Sequence, residues 1–388
     1  MNKKLMAIAV AGALAAPAVA LAQASNVTIY GRANLGIDSV SATGATAANS
    51  DFKTRTRVWD QGSRLGVRGE ESLGGGMKAV FTIETGVNID NGSTTGANGS
   101  ANASTGTLAS RDSFAGIEGS MGRVTFGRQS VFWTNANDLT QAAYINVGLQ
   151  YATGTIGRLG SPSARTNNVM QYQSPVWSGF SANLSYAPQS ENAAANIAAD
   201  GKLWGLTLLY RGASPLTAQL DWARKQTPAA TSAGDPRNNI TGTKLGLGWA
   251  YVPDANLSIV ILRFQNENNA AVAGFNGATD NLKQNGWQLN WTHMFGNVQG
   301  MAQYGRMGDV SGCAAGNDCG ASGTKGFLLS AKYHLSKRTG VYVSYTEIKN
   351  ERNQTADYSG GNMGVAPAGA LPAGADPKIF AVGMLHNF

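Results

Sequence analysis

The feature that most constrains this chain is a regular alternation of apolar and polar residues. In residues 27–37 the residues of one parity are apolar; they are Val27, Ile29, Ala33, Leu35 and Ile37. The residues of the opposite parity are polar; they are Thr28, Tyr30, Arg32 and Asn34. Because successive side chains of a strand point to opposite faces, this period of two predicts a β-strand with one apolar and one polar face.

Runs of this kind recur along the whole chain. Sixteen can be traced, at residues 27–37, 63–70, 77–88, 111–119, 123–129, 167–174, 179–187, 202–211, 216–225, 243–252, 256–266, 283–294, 298–307, 324–335, 340–349 and 377–388. Each is about ten residues long, which is the length that a tilted strand needs to cross a bilayer. The sequence therefore predicts an all-β fold of sixteen strands.

The connections between these strands alternate between short and long. The short ones lie at residues 72–76, 120–122, 212–215, 253–255, 295–297 and 336–338. The long ones lie at residues 39–57, 90–110, 130–166, 226–241 and 351–376. Outer-membrane barrels combine short periplasmic turns with long extracellular loops, whereas soluble sandwiches vary at both ends. Lipid cannot hydrogen-bond an exposed strand edge, so we expect the sheet to close into a transmembrane antiparallel β-barrel.

Composition disfavours the helical alternatives. The chain has 50 glycines in 388 residues, and each glycine costs about 1 kcal/mol relative to alanine inside a helix. The glycines show no three-residue period, which excludes collagen. A mean hydropathy of −0.17 disfavours a polytopic helical membrane protein.

The N-terminus has the pattern of a secretory signal peptide. Lys3 and Lys4 precede an apolar run over residues 5–16, and small residues end at Ala22. We expect residues 1–22 to be removed, with cleavage after Ala24 as the alternative, rather than kept as an anchor helix. The mature chain, residues 23–388, would then be one barrel domain outside the cytoplasm with a modest positive net charge. It has no nucleic-acid motif, so small anions are its expected charged partners.

The two cysteines lie close together, at Cys313 and Cys319. In an oxidising compartment this spacing favours a local disulfide. The loop lacks further metal ligands, so we expect neither a metal nor a cofactor there.

The last run has an apolar parity that ends the chain on an aromatic ring. Its members are Phe380, Val382, Met384, His386 and Phe388. We expect this strand to close the barrel against the first strand, with an aromatic ring at the membrane boundary. It is also the expected contact with the barrel-assembly machinery.

A barrel of sixteen strands is too wide for side chains to fill, so its lumen should hold water. The charged residues expected on the lumen face of the early strands are Arg32, Arg64, Arg68, Lys78 and Glu84. The longest connection, residues 130–166, adds Asp138, Arg158 and Arg165 and is rich in aromatic residues. If it folds inward, the arginines would favour anions at a constriction. Alternatively, these arginines are simply solvated, and strand register leaves Arg111 and Arg128 ambiguous.

Four separated motifs carry a family resemblance. They are GSRLGVRGEESLGGGMKA at residues 62–79, FGRQ at 126–129, NNVMQYQSP at 167–175 and VGMLHNF at 382–388. Over essentially the whole mature chain the sequence resembles the general porins of Gram-negative outer membranes, of the beta-proteobacterial and neisserial type.

The resemblance implies a sixteen-stranded barrel, a homotrimer, a third loop folded into the lumen, and passive diffusion of small hydrophilic solutes. It places the wall arginines at Arg64, Arg111 and Arg165, with acidic partners at Glu84 and Asp138. The sequence departs from the family pattern at residues 130–135, SVFWTN, where a proline-containing start is expected.

The sequence therefore predicts an anion-preferring outer-membrane diffusion channel in contact with lipid and lipopolysaccharide, and not an enzyme. One alternative is a channel specific for a sugar or organic acid, with Trp133, Tyr144 and Tyr151 as an aromatic slide. Another is an outer-membrane hydrolase, for which His293, His334 and His386 are the candidate bases, although none lies in a nucleophile motif. A structural barrel or adhesin is the third.

Overall fold

The computed structural model describes residues 25–90, 108–132, 162, 165–188, 202–227, 238–267, 281–313, 319–358 and 371–388. Their strands are β1 Ser25–Thr43, β2 Phe52–Asp60, β3 Arg64–Gly74, β4 Met77–Gly86, β5 Ser113–Gly119, β6 Gly122–Ser130, β7 Arg165–Gln173, β8 Phe180–Ala187, β9 Leu203–Arg211, β10 Leu216–Thr227, β11 Asn238–Val252, β12 Ala255–Glu267, β13 Asn281–Phe295, β14 Val298–Met307, β15 Thr324–His334, β16 Thr339–Asn350 and β17 Asp376–Asn387. The predicted signal peptide, residues 1–22, lies outside the described residues. Within them, no helix is long and apolar enough to span a membrane.

The strands form one closed antiparallel sheet. Along the chain, β3 to β17 each pair with the next strand, and β17 pairs with β1. The result is a sixteen-stranded barrel with one extra strand, so the predicted fold class and strand number are confirmed.

The extra strand is β2, and it corrects the prediction of a long connection at residues 39–57. The upper half of β1, from Leu35 to Ala42, pairs with β2, whereas its lower half, from Ser25 to Arg32, pairs with β3. The prediction was wrong because β2 carries charged or hydroxyl side chains on both faces and shows no hydrophobic alternation. One of those charges is satisfied inside the barrel, where Arg57 Nη2 lies 2.7 Å from Asp38 Oδ2.

The two faces of the sheet differ as the alternation requires. On β1, Val27, Ile29 and Ile37 point outward and keep 58–67% of their surface exposed, whereas the inward-facing Asn34 and Asp38 keep 0–1%. An apolar exterior around polar inward side chains is the arrangement expected of a barrel surrounded by lipid.

The seam between the last and first strands is closed by backbone and side-chain bonds. Gly31 and Phe388 exchange two backbone hydrogen bonds, of 3.0 and 3.1 Å. Tyr342 of β16 lies across Gly383 of β17 and donates a 2.9 Å hydrogen bond to Asn34 Oδ1 of β1. A side chain at position 383 would collide with the Tyr342 hydroxyl, so glycine is needed for this contact across three strands.

The outward parity of β17 is the one the sequence indicated. Phe380, Val382 and Met384 are about half exposed on the outer surface, and Phe388 ends the row. His386 is the polar member of this row, and its Nδ1 lies 2.9 Å from Thr339 Oγ1.

The described extracellular connections pack against each other. The segment after β16 places Tyr358 in a fully buried position, where its hydroxyl donates to Thr346 Oγ1 at 3.1 Å. This burial raises the pKa of Tyr358.

Cys313 and Cys319, in the connection between β14 and β15, are joined by a disulfide with 6.0 Å between their Cα atoms.

Candidate pore constriction

Three arginines and one glutamate form a cluster on the inner wall of β1 and β3–β5. Arg111 Nε lies 2.5 Å from Glu84 Oε1, and Arg64 Nε lies 3.7 Å from Glu84 Oε2. Arg32 is the direct cross-strand partner of Arg64. Opposite positions of this kind place Cβ atoms about 5 Å apart, so like charges there repel. Among the described residues, Glu84 and the buried Asp60 are the carboxylates whose charges act on these three guanidinium groups. Three guanidinium groups against two carboxylates leave the described part of this wall positively charged.

Tyr30 completes the cluster from β1. It lies opposite Gly66, which in turn lies opposite Glu84. Because Gly66 has no side chain, the Tyr30 ring crosses β3 and its hydroxyl donates a 3.1 Å hydrogen bond to Glu84 Oε2. The glutamate is thereby held by a second strand and points at the arginines.

The register of Arg111, which the sequence left ambiguous, is set by the backbone. Arg111 N donates to Glu84 O at 2.9 Å, and Glu84 N donates to Ser113 Oγ at 3.1 Å. These bonds join the segment that enters β5 to β4 at the level of the glutamate. Arg111 is thus brought into the cluster although it precedes the strand.

A second basic group lies where β6 and β7 approach the long connection. Ser130 Oγ donates to both carboxylate oxygens of Asp112, at 2.7 and 2.9 Å, and Arg165 Nε lies 3.4 Å from Asp112 Oδ1. Arg128 donates to Ser110 O at 2.9 Å. A bulge between Gly127 and Gln129 shifts the register of β6 and explains why parity did not place Arg128. The sequence did not single out Asp112, because its partner Arg165 lies far along the chain, across β5, β6 and β7.

Arg68 and Lys78 lie nearer the periplasmic end. Arg68 is four residues beyond Arg64 on β3, which is about 13 Å, and its guanidinium covers the Tyr30 ring at 5.2 Å. Lys78 Nζ pairs with Glu70 Oε1 at 3.1 Å. The structure therefore places Arg68 at the border of the cluster and Lys78 away from it. Asp138 and Arg158 lie outside the described residues, as do Trp133, Tyr144 and Tyr151.

The described residues of the long connection that follow β6 contact β11 and β12. Lys244 of β11 donates from Nζ to Phe132 O at 2.7 Å, and the Phe132 ring lies 6.2 Å from that of Phe264 on β12. A side chain at Gly242 would collide with Phe132 and Pro162. Because β7 to β10 separate β6 from β11 along the sheet, the chain must cross the interior directly after Ser130. This supports the inward fold of the third loop.

Lys244 and Asp221 form a buried pair beneath this contact, and the sequence did not single them out. Their Nζ and Oδ2 atoms lie 3.6 Å apart, with side chains 2% and 3% exposed. Asp221 also accepts hydrogen bonds from Thr207 Oγ1 at 2.6 Å and Gln219 Nε2 at 2.7 Å. The alternation of side chains along β11 could have identified Lys244 as an inward-facing residue, because it precedes the outward-facing Leu245.

The described part of the wall opposite the arginines has no excess of acidic side chains. In the described parts of β8–β14, Asp221 is the one inward-facing carboxylate, and Lys244 neutralises it. Most of its polar inward side chains are amides or hydroxyls, including Ser185, Thr207, Gln219, Gln288, Asn290 and Gln303. The lumen thus has a basic wall without an acidic wall facing it.

The histidines are bonded near strand ends and do not join this site. His293 Nδ1 lies 2.7 Å from the Tyr251 hydroxyl, and His334 Nε2 lies 3.3 Å from Gln299 Oε1. Among the described residues, no three His, Cys, Asp or Glu side chains are close enough to bind a metal ion.

Comparison with known proteins gives consistent matches. The Gram-negative porin family matches residues 7–353. Outer membrane porin protein 32 of Delftia acidovorans is 28% identical over the full length of both chains. Major outer membrane protein P.IB of Neisseria lactamica is 26% identical and covers 89% of this chain and 92% of its own. The structure of an anion-selective porin from Comamonas acidovorans, 25% identical, superposes with a TM-score of 0.72 over 94% of this chain and 100% of its own.

Proposed function

We propose, on the premise that this chain belongs to the Gram-negative porin family, that its outer-membrane channel lets small anions and hydrophilic solutes diffuse passively and disfavours cations. The observation that carries the anion preference is the cluster of Arg32, Arg64 and Arg111 on the wall beside Glu84, where the described guanidinium groups outnumber the carboxylates. Because the described part of the facing wall has no excess of acidic side chains, this cluster produces a net positive potential in the lumen. Charged groups in a confined pore select ions at short range.

A similar protein points the same way. The Comamonas acidovorans structure, which shares 25% of its residues with this chain, is described as an anion-selective porin. Its preference supports the same preference here, with the constriction arginines of this chain as the cause.

The test is the reversal potential of the purified protein in a planar bilayer under a KCl gradient. Arg64 is the variant of choice because its side chain is 34% exposed and only loosely paired with Glu84, at 3.7 Å. Arg64→Glu should move the reversal potential toward cation selectivity.

Lys78→Glu is the matched control. It makes the same change of charge on the same wall, but its pair with Glu70 is exposed and lies away from the cluster. It should shift the reversal potential much less than Arg64→Glu. Equal shifts for the two variants, or none for Arg64→Glu, would contradict a selective role for the cluster.

We also propose that the protein is a homotrimer and has no hydrolytic activity. The trimer is supported by the family resemblance. The absence of hydrolysis is supported by the histidines, which are bonded to Tyr251, Gln299 and Thr339. Native mass spectrometry would measure the number of subunits. Hydrolysis of a chromogenic ester that is lost on His293→Ala would refute the proposed absence of hydrolytic activity.

A further inference from the structure

Three cations form a row on the outer surface near the extracellular end of the barrel. In the sheet register, Arg306 of β14 lies opposite Lys325 of β15, and Lys325 lies opposite Lys349 of β16. All three are exposed and share the outward parity of Tyr304, Leu329 and Val343. Directly opposed like charges destabilise a sheet, so this row repels itself unless an anion lies against it.

Among the described residues, carboxylates balance the row at its Lys349 end. Lys349 Nζ lies 2.7 Å from Glu347 Oε1 and 3.1 Å from Asp376 Oδ2. Within the described part of the chain, no carboxylate lies within 4.0 Å of Arg306 or Lys325. Arg263, exposed on the outer face of β12, adds a further cation beyond Arg306. The described part of this surface therefore has an unbalanced positive charge centred on Arg306 and Lys325.

A band of aromatic rings fixes the height of this row in the membrane. Trp287 and Tyr304 have ring centroids 5.5 Å apart, and those of Phe327 and Tyr345 are 5.7 Å apart. Tyr304 and Phe327 lie opposite one another, two residues closer to the middle of the barrel than Arg306 and Lys325. Aromatic rings collect at the membrane interface, and two strand residues span about 7 Å. The cations thus lie at the depth of the outer-leaflet headgroups.

We propose that Arg306 and Lys325 bind the phosphate of a phosphorylated lipid in the outer leaflet. The phosphate offers the negative charge that the row lacks, and the planar guanidinium of Arg306 can donate two parallel hydrogen bonds to it. The acyl chains would lie against the aromatic band and the exposed Leu329 and Val343 below it. The site is on the outside of the barrel, so it is independent of the ion preference of the pore.

The experiment uses the full-length folded protein in a neutral detergent and measures lipid retention by native mass spectrometry. Diphosphoryl lipid A should bind more tightly than phosphatidylcholine of similar chain length. A cation near a membrane surface contributes about five-fold to the affinity for anionic lipid. The double variant Arg306→Gln/Lys325→Gln should therefore weaken lipid A binding about 25-fold.

The matched control removes one lysine and one arginine from the other end of the barrel. Lys337→Gln/Arg338→Gln alters exposed residues of the turn between β15 and β16 and should leave lipid A binding unchanged. Wild-type affinity in the Arg306→Gln/Lys325→Gln variant would overturn the proposal. Equal displacement of lipid A by inorganic phosphate at similar concentration would also overturn it, because the site would then recognise the free ion.

Thermal unfolding provides a second readout that does not depend on detecting the complex. In neutral detergent the Arg306→Gln/Lys325→Gln variant should be no less stable than the wild type, because repulsion has been removed. Added lipid A should raise the unfolding temperature of the wild type more than that of the variant. An equal rise in both would contradict the site.

Discussion

Replacing Lys244 with methionine should both destabilise the protein and widen its pore. Lys244 is buried between Asp221 and the carbonyl of Phe132, and its Nζ also lies 4.7 Å from the centroid of the Phe132 ring. Lys244→Met keeps most of the side-chain volume but removes the charge. Asp221 would remain buried with its bonds to Thr207 and Gln219 but without a counter-charge.

Lys244→Met should lower the free energy of unfolding by about 3–5 kcal/mol, the usual effect of removing one member of a buried ion pair. Lys244→Met/Asp221→Asn removes both charges and should cost less than the sum of the two single variants, because no buried charge is left unpaired. Unfolding in denaturant would give the four free energies of this double-mutant cycle.

The functional readout is single-channel conductance. Without Lys244, Phe132 loses its hydrogen bond to β11. The chain that crosses the lumen should then move, and the conductance should rise and become noisier. Lys225→Met, the same replacement at an inward position of the neighbouring β10, is the control and should leave conductance close to wild type. Wild-type stability and conductance in Lys244→Met would refute the assignment of Lys244 as the anchor.

Two further substitutions test the seam and the disulfide. Gly383→Val should push Tyr342 away from Asn34 and lower the temperature at which the barrel unfolds, as measured on a heat-modifiability gel. An unchanged unfolding temperature would show that the contact across Gly383 is not needed. Cys313→Ser/Cys319→Ser should lower the free energy of unfolding by about 2 kcal/mol, as expected for a loop this short. The same variant should leave the reversal potential unchanged, because the disulfide lies far from the arginines in sequence and joins only its own connection. A changed reversal potential in that variant would link the disulfide to selectivity.

The strands were predictable because lipid outside and polar surroundings inside impose one simple rule on every span. The extra strand β2 was missed for the same reason. Its inward charge is neutralised locally, by the pair of Arg57 and Asp38, so its sequence resembles a polar loop. Period-two patterns detect a difference between two faces and are blind to a strand without one.

The candidate site was predictable in composition but not in geometry. Parity placed Arg32, Arg64 and Glu84 on the inner wall, but the convergence of Arg64 and Arg111 on Glu84 depends on the β3–β4–β5 register. The partner of Arg165 is Asp112, at 3.4 Å, a pairing across three strands that sequence separation hides. Likewise, the anchor at Lys244 joins residues that are 112 positions apart.

The central claim is that a positively charged constriction controls which ions cross the barrel. The most direct measurement is the ratio of chloride to potassium permeability of the wild-type channel, obtained from its reversal potential in a KCl gradient. The arginines around Glu84 predict a ratio above one that falls as salt concentration rises, because salt screens charge. A ratio at or below one in dilute salt would contradict the claim and leave the barrel as a channel without the proposed anion preference.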